Sequence, residues 1–418
     1  MTLPTQGQLL LPTLESLAEL GGQAPAAAVI DAVSTRLGIP DAVKNDFRDV
    51  DCGKWGKRRR SAWRQRLHVV RLNAVLAGLI EKHRSGYWTL SDKGRGSLVK
   101  CQPGVIVTVY TTEFGEVLWA DAVTAAGALA DNSVQLLFTS TPYPLAGAGR
   151  KYGNLTPAET VDLVVKCAME WKRALRDDGS IILNLRDVWL PKAQTGGAVR
   201  SLYMEKLLIA LSDECRLFFS DRFYWTNPVS MGDSWVTIRR VRVRSSVEQL
   251  LWLSKGPNPK ANNRAVMVDA SPTTLETYRR KGRTGQKAIV CPSGHKNIFE
   301  AQIAAAMAGQ ELKVIPSNLL RFTNSDPRTI LHGRLDELGL PRHDAKMPEQ
   351  LASWFIRFLT EEGDLVVDPF SGSGTTAREA ERLKRRFIGS DFCLAHCLGS
   401  AARWKPEEIN YVASDNEE

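Results

Sequence analysis

Apolar residues recur at helical spacing from Leu11 to Leu20 and again from Ala26 to Leu37, with Gly21-Gly22 between them and Pro25 placed to open the second helix. A third helix is expected from after Gly56 to about Ile80, because Trp63, Leu67, Val70, Ala74 and Ala77 fall on one stripe at 3.6 residues per turn. Arg60, Arg64, His68 and Arg71 lie on the flank of that stripe. His83 to Leu90 then reads as two short extended stretches around a Ser-Gly turn. Helices followed by a basic helix and a hairpin predict a small, mainly α, winged-helix domain over residues 1–104.

From about 105 the pattern becomes α/β. Val105 to Tyr110 is β-rich, Ser133 to Phe138 a buried strand, Ala158 to Leu175 a helix and Ser180 to Leu185 another apolar strand. Strands alternating with helices imply a mostly parallel sheet. Farther on, Asp364 to Asp368 predicts a strand, Ala377 to Lys384 a helix, and Arg386 to Ser390 a strand ending on Asp391. Residues 105–418 are therefore read as one α/β domain. Within it lie a half at 105–254, a loop-rich insert at about 255–335, a second half at 336–405 and an acidic tail at 406–418, whose last residues are expected to be disordered.

The length of 418 residues suits two or three domains. No run of some 18 apolar residues exists to span a bilayer, and the start MTLPTQGQLL lacks the basic and apolar regions of a secretory signal, so a cytoplasmic protein without a membrane partner is expected. Seven scattered cysteines are not a disulfide framework. Cys393 and Cys397 with His396, and Cys291 with His295, have loosely metal-like spacing. A structural zinc site shows two close ligand pairs, so packing thiols and no metal are expected.

Charge changes the picture more. The net charge is +9 and the isoelectric point about 9.2, a balance that favours a polyanionic partner. Residues 1–105 carry +7 and residues 255–330 another +7, leaving the remainder net negative. Two phosphate-facing surfaces follow, one with Lys57, Arg58, Arg59, Arg60, Arg64 and Arg71, the other with Arg279, Arg280, Lys281 and Arg283. No acidic residue interrupts 54–71, which favours a nucleic-acid face over a merely solvated one.

Candidate chemistry lies at two turns. The first is Asp368-Pro369-Phe370-Ser371-Gly372-Ser373-Gly374-Thr375-Thr376, between a strand and a helix, where glycines let the backbone approach a ligand. Asp391, roughly 20 residues beyond the glycines, is placed to accept hydrogen bonds from ribose hydroxyls. The third glycine of the dinucleotide fingerprint is absent, which argues against a pyrophosphate cofactor. The string DPFSGSGTT is similar to the S-adenosylmethionine-binding motif of amino-methyltransferases. That resemblance implies a Rossmann-like methyltransferase core with Asp368, Pro369, Phe370, Ser371, Gly372, Ser373, Gly374, Thr375 and Asp391 around the cofactor. Upstream, His343-Asp344-Ala345-Lys346-Met347-Pro348 resembles the segment that wraps the methionine end and implies contacts from Lys346 and Pro348. Asp344 and Met347 depart from the usual pattern there.

The second turn is Thr139-Ser140-Thr141-Pro142-Tyr143-Pro144, delivered by the strand Val134 to Phe138. An exocyclic amine is a poor nucleophile, because its lone pair is delocalised into the ring. Acceptors aimed at its hydrogens free that lone pair for in-line displacement, which then needs positioning and electrostatics. Ser140 to Tyr143 resembles the (D/N/S)-P-P-(Y/F) motif of amino-methyltransferases. The resemblance implies that Ser140 and the Thr141 carbonyl bind the amine, Pro142 stiffens the loop and Tyr143 stacks on a flipped base. Thr141 stands where the family has its first proline.

The order of the parts resembles the β class of DNA amino-methyltransferases over about 105–400, with the catalytic motif first, a basic insert second and the cofactor motif last. Asp121, in Leu118-Trp119-Ala120-Asp121-Ala122, would face the cofactor's adenine. Arg173 to Asp187, the stretch around Glu248, and Val314 to Leu320 match further. Residues from LPTLESLAELGG to WTLSDKGR resemble the N-terminal winged helix of Mrr-type restriction proteins.

Serine at the first position resembles cytosine-N4 enzymes, whereas aspartate is usual for adenine-N6 enzymes. Cytosine-C5 chemistry is disfavoured, since it needs a cysteine nucleophile and no Pro-Cys dipeptide occurs. The expectation is a site-specific methyltransferase acting on double-stranded DNA in a bacterial or archaeal cytoplasm, with room for a companion restriction endonuclease. Adenine-N6 methylation, a non-catalytic DNA-binding regulator and an RNA or small-molecule amine methyltransferase remain as alternatives.

Overall fold

The computed structural model describes residues 6–51, 57–76, 79–82, 86–92, 94, 104–144, 155–190, 195–197, 199–226, 234–285, 288–290, 296–298, 300–323, 328–337 and 347–411. Helices Gln6–Glu19, Ala26–Arg36, Asp41–Lys44 and Ala62–Leu76 build the N-terminal unit. Their buried faces close one core, in which Leu9, Leu17, Val29 and Val33 meet Trp63, Leu67, Val70, Ala74 and Trp88. Trp63 Nε1 donates to Ser34 Oγ at 2.8 Å, which satisfies the indole inside that core. Tyr87–Thr89 pairs antiparallel with Gln23–Pro25, and Ile80 bridges Leu90, so the second half of the predicted hairpin is extended; its first half, 83–85, lies outside the described residues.

One expectation here is overturned. The basic residues Lys57, Arg58, Arg59 and Arg60 belong to a strand, Lys57–Ser61, rather than to the helix, which starts at Ala62. The strand pairs antiparallel with Phe47–Asp51, so Asp51 stands opposite Lys57 and Asp49 opposite Arg59. This register supplies a partner strand that helical spacing could not reveal.

The second unit is a ten-stranded sheet. Its strands in chain order are β1 (Val107–Thr111), β2 (Gly115–Trp119), β3 (Val134–Ser140), β4 (Leu175–Leu185), β5 (Phe218–Thr226), β6 (Val247–Ser254), β7 (Leu319–Arg321), β8 (Leu365–Asp368), β9 (Arg386–Asp391) and β10 (Asn410–Tyr411). The spatial order is β7-β5-β6-β4-β3-β8-β9-β2-β1-β10. The centre, from β4 through β3, β8 and β9 to β2, is parallel. Toward the flanks β6 and β1 run antiparallel to their neighbours. The sheet is thus mixed, with the parallel part where the alternating pattern lies.

Helices α1 (Ala122–Ala128), α2 (Pro157–Ala174) and α3 (Tyr203–Asp213) cover one face, burying Val164, Trp171 and Leu207 against Leu137, Ile181 and Leu183. Helices α4 (Glu349–Leu359), α5 (Thr375–Arg382) and α6 (Leu394–Ser400) cover the other, where Phe355, Ala377 and Cys397 pack with Leu136, Phe138 and Ile182. Ile181, Ile182 and Leu183 alternate between the two cores, as the period of two along a strand requires. Helix α2 opens on a capping box, Thr156 Oγ1 accepting from Glu159 N and Glu159 Oε2 from Thr156 N.

The insert is more ordered than its composition predicts. It holds helices Pro272–Arg283, Glu300–Met307 and Arg328–Glu337, and its segment Leu319–Arg321 joins the main sheet as β7. Gly282 packs directly on the side chains of Met307 and Ile303. No helix among the described residues is long and apolar enough to cross a membrane.

Candidate active site

All five parallel strands end at one edge of the sheet, where doubly wound folds bind their ligands. Ser140 ends β3 opposite Asn184 of β4, Asp368 ends β8 opposite Gly389, and Asp391 ends β9 opposite Trp119. Strand β6 enters antiparallel with Gln249 opposite Leu185, which brings Glu248 to the same edge.

The turn after β8 is held by its own carboxylates. Asp368 Oδ1 accepts from Thr139 Oγ1 at 2.6 Å and from Phe370 N at 3.2 Å, and Oδ2 accepts from Thr376 Oγ1 at 2.6 Å. Thr139 immediately precedes Ser140, so Asp368 ties the two motifs together. Burial raises the Asp368 carboxyl to about 6, against the lowering effect of Thr139, Thr376 and Phe370. Asp391 accepts from Gly372 N at 3.0 Å and Cys393 N at 2.9 Å, and stands 3.3 Å from His396 Nδ1. Burial raises it to about 7, with these backbone N–H groups opposing and the Asp368 charge adding to the rise.

Gly374 caps α5 at φ 72°, and a Cβ there would meet Ser400 Cβ at 2.8 Å, so no other residue fits. Arg403 buttresses the turn from behind. It donates to the Ser373 carbonyl and, at 2.9 Å, to Thr375 Oγ1, while pairing with Glu349 at 2.6 Å. Phe370 packs edge-on against Trp171, and Pro348 is a buried N-cap of α4. Ser371 Oγ is buried with no hydrogen-bond partner among the described residues. A free hydroxyl beside two positive-φ glycines suits a small polar ligand laid along this turn.

Asp121 caps α1. It accepts from Val123 N at 3.1 Å and Thr124 N at 2.9 Å, and from the Thr124 hydroxyl. It lies next to the ends of β2 and β9, and its oxygens already have structural work. Lys346 lies outside the described residues. Cys397 Sγ donates to the Leu118 and Asp391 carbonyls inside the core, a packing thiol as expected.

The turn after β3 is a different construction. Ser140 Oγ lies 2.9 Å from Tyr143 Oη, which donates to Glu248 Oε2 at 3.2 Å. Asn184 Nδ2 donates to both Tyr143 Oη, at 3.2 Å, and Glu248 Oε2, at 2.9 Å. With the phenol proton directed to Glu248, the Ser140 proton is free to point at Tyr143, leaving Ser140 lone pairs to accept from a bound amine. Burial, then the Glu248 charge, holds the Tyr143 phenol well above its usual range. Burial likewise raises Glu248, opposed by Asn184, Arg186 and Tyr143. Thr141 Oγ1 and Asn184 Oδ1 are buried without partners among the described residues. Asn184 and Glu248 fall in stretches matched by resemblance, yet nothing in the sequence assigns them to this group.

The expected phosphate-facing residues lie elsewhere. Arg64 and Arg71 are on helix Ala62–Leu76, and Arg59 is exposed on its strand. In helix Pro272–Arg283, Arg280 and Arg283 are exposed, whereas Arg279 is partly spent on the Ala306 carbonyl at 3.1 Å. A cavity of about 580 Å³ between α4, α5 and helix Arg328–Glu337 is lined by Arg382, Arg403, Glu349 and Glu379. Those charges pair with one another, and Arg403 also contacts the glycine turn from this side.

The DNA methylase family matches residues 134–398, and the Mrr N-terminal domain matches residues 7–100. The chain is 31% identical over 310 residues to the type II methyltransferase M.PvuII of Proteus hauseri, covering 72% of this chain and 87% of that protein. It is 26% identical to the orphan methyltransferase M.BamHII of Bacillus amyloliquefaciens, over 68% of this chain and 92% of the relative. The solved structure of PvuII DNA methyltransferase (cytosine-N4-specific) superposes with a TM-score of 0.56 at 28% identity, covering 73% of this chain and 92% of the other.

Proposed function

This chain belongs to the DNA methylase family, and we propose that it transfers a methyl group from S-adenosylmethionine to the N4 amine of cytosine at specific sites in double-stranded DNA. The observation that carries this reading is the Thr139–Asp368 hydrogen bond, which fixes the amine-binding turn against the glycine turn at one sheet edge. Similarity to a cytosine-N4-specific enzyme supports the choice of amine.

S-adenosylmethionine, when bound, supplies an electrophilic methyl on sulfur. The turn from Asp368 to Thr375 would hold it, with Ser371 Oγ as a free polar group and Asp391 beside the ribose. Asp121 is the candidate for the adenine end and Pro348 for the methionine end.

Ser140 Oγ and the Thr141 carbonyl accept the two amine hydrogens, which turns the nitrogen lone pair out of the base plane. After transfer the nitrogen must lose a proton. Ser140, Tyr143 and Glu248 form a hydroxyl chain that can pass it to the carboxylate, whose raised affinity for protons suits that role. The target base must leave the duplex to reach this edge, and Tyr143, its hydroxyl fixed by three partners, offers a stacking ring. The same proposal places the protein in the cytoplasm, with DNA as its partner and a companion endonuclease as the context for site-specific protection.

The test is methylation of duplex DNA by purified protein with isotopically labelled S-adenosylmethionine, followed by digestion and mass spectrometry of the nucleosides. Labelled N4-methylcytosine is expected. N6-methyladenine instead would overturn the choice of amine, and label entering only RNA or no nucleic acid would overturn the reading itself.

A further inference from the structure

Between β5 and β6 runs the segment Ile238-Arg239-Arg240-Val241-Arg242-Val243-Arg244, in which every residue is exposed. From Ser234 to Val247 there is no acidic residue. It belongs to the part of the chain whose net charge is negative, so the segment sums that point to residues 1–105 and 255–330 pass over it. Several arginines of this unit pair with acids: Arg173 with Asp131 and Glu170, Arg382 with Glu379, Arg403 with Glu349. Here Arg239 rests on the Trp235 ring at 4.6 Å, a contact that leaves its guanidinium charge in place, and Arg242 donates to the Val241 carbonyl at 3.2 Å.

The segment's place in the fold gives those charges a direction. Strand β6 begins at Val247 on the edge that carries the site, and Glu248 is its second residue. Four residues of chain limit Arg244 to within about 14 Å of Glu248, Cα to Cα. Arg240 sits at φ 55°, a left-handed conformation that a non-glycine residue adopts at a conformational cost, and there the chain turns out of the short helix Ser234–Thr237. Beyond it, apolar and basic residues alternate. Val241 is 56% exposed, Val243 89% and Ile238 78%, so the apolar side chains have no core beneath them. A solvated loop has no reason to gather four exposed guanidinium groups and three bare aliphatic side chains at the mouth of a site.

We propose that Arg239 to Arg244 form a phosphate-tracking segment that grips the DNA backbone beside the target base. The ligand is the sugar-phosphate chain of duplex DNA, with guanidinium groups on phosphates and the aliphatic residues against sugars. The inference rests on the function proposed above. Such contacts carry no sequence information and position the duplex for base extrusion.

The test uses the full chain and three mixed-sequence duplexes, with affinity measured against salt concentration. The variant Arg240→Gln/Arg242→Gln/Arg244→Gln is expected to bind all three duplexes more weakly. It should also flatten the slope of log affinity against log salt by about 0.9 for each phosphate that the variant no longer neutralises. The matching triple lysine variant should recover most of the slope, and unchanged S-adenosylmethionine affinity in both variants reports an intact fold. An unaltered slope, or weakening confined to one duplex, overturns the proposal. A wild-type chain that methylates DNA while the glutamine variant keeps its slope overturns this inference alone. A wild-type chain that neither binds nor methylates duplex DNA overturns the proposed function with it.

Discussion

The two turns at the catalytic edge are built on opposite principles. On the methyl-donor side, Asp368 and Asp391 are buried, and each collects backbone N–H groups and nearby side chains. On the methyl-acceptor side, Ser140, Tyr143, Asn184 and Glu248 share a looser set of bonds between 2.9 and 3.2 Å, and Asn184 Oδ1 and Thr141 Oγ1 have no partner among the described residues. Folding satisfies the donor turn's carboxylates and leaves only Ser371 Oγ there without a partner among the described residues. Under the proposed function, the acceptor turn is completed by the base that it takes up and releases.

If that contrast is right, the largest loss comes from the acceptor side without loss of fold. Ser140→Ala removes the first acceptor of the amine and is expected to lower kcat by about 10²–10³, in the range for one preorganised polar group in an active site. Cofactor affinity and melting temperature should stay near wild type. A variant that unfolds, or keeps full turnover, breaks the comparison at once.

Glu248→Gln comes next. It keeps the shape but replaces the carboxylate that orients Tyr143 and accepts the proton. A charge-assisted hydrogen bond contributes roughly 1.5–3 kcal/mol, so kcat should fall about tenfold to a hundredfold. The sharper readout is the pH profile of kcat. Its low-pH limb should vanish in the variant if Glu248 is the proton acceptor, and persist if the residue only packs.

The donor side predicts a pH effect instead. Asp391 is raised by burial to about 7. Its carboxyl therefore favours the folded state fully below its unfolded pKa, and this contribution is lost as pH rises through about 7. In the proposed contact, ribose hydroxyls donate to the ionised form, so cofactor binding would expel the proton. Affinity for S-adenosylmethionine should improve as pH rises to about 7 and weaken by up to tenfold for each unit below it. Calorimetry in buffers of different ionisation enthalpy checks the proton release. Asp391→Asn should bind more weakly and lose the dependence, and a substituted protein that kept it would count against the assignment.

The donor turn is legible in the sequence because its parts are contiguous: a strand, a glycine turn and a helix, then an acid at the end of the next strand. The acceptor group is legible only in part. Ser140 and Tyr143 share a tetrapeptide, but Asn184 and Glu248 arrive on β4 and β6, and no local spacing joins them. Spacing alone puts the basic strand Lys57–Ser61 into the following helix for a related reason, since the pairing with Phe47–Asp51 that makes it a strand is invisible to helical periodicity. The arginines at 239–244 escape a reading by composition because charge summed over long segments hides a short run beside acidic neighbours.

Thr141 is the smallest test and the one that separates the two turns most finely. It stands where related motifs carry proline, and its hydroxyl is buried without a partner among the described residues. If the hydroxyl is idle, Thr141→Val keeps the volume, removes an unsatisfied polar atom and should stabilise the fold by about 1 kcal/mol, with turnover changed less than about twofold. If the hydroxyl waits for the base, the same substitution should still stabilise the free protein while lowering kcat/KM for DNA severalfold. Thermal unfolding and steady-state kinetics on one variant distinguish them. Stabilisation with lost activity is the outcome expected of a turn whose polar atoms are reserved for the ligand. A destabilised variant would show instead that Thr141 is satisfied within the fold, and the contrast between the two turns would then rest on Asn184 alone.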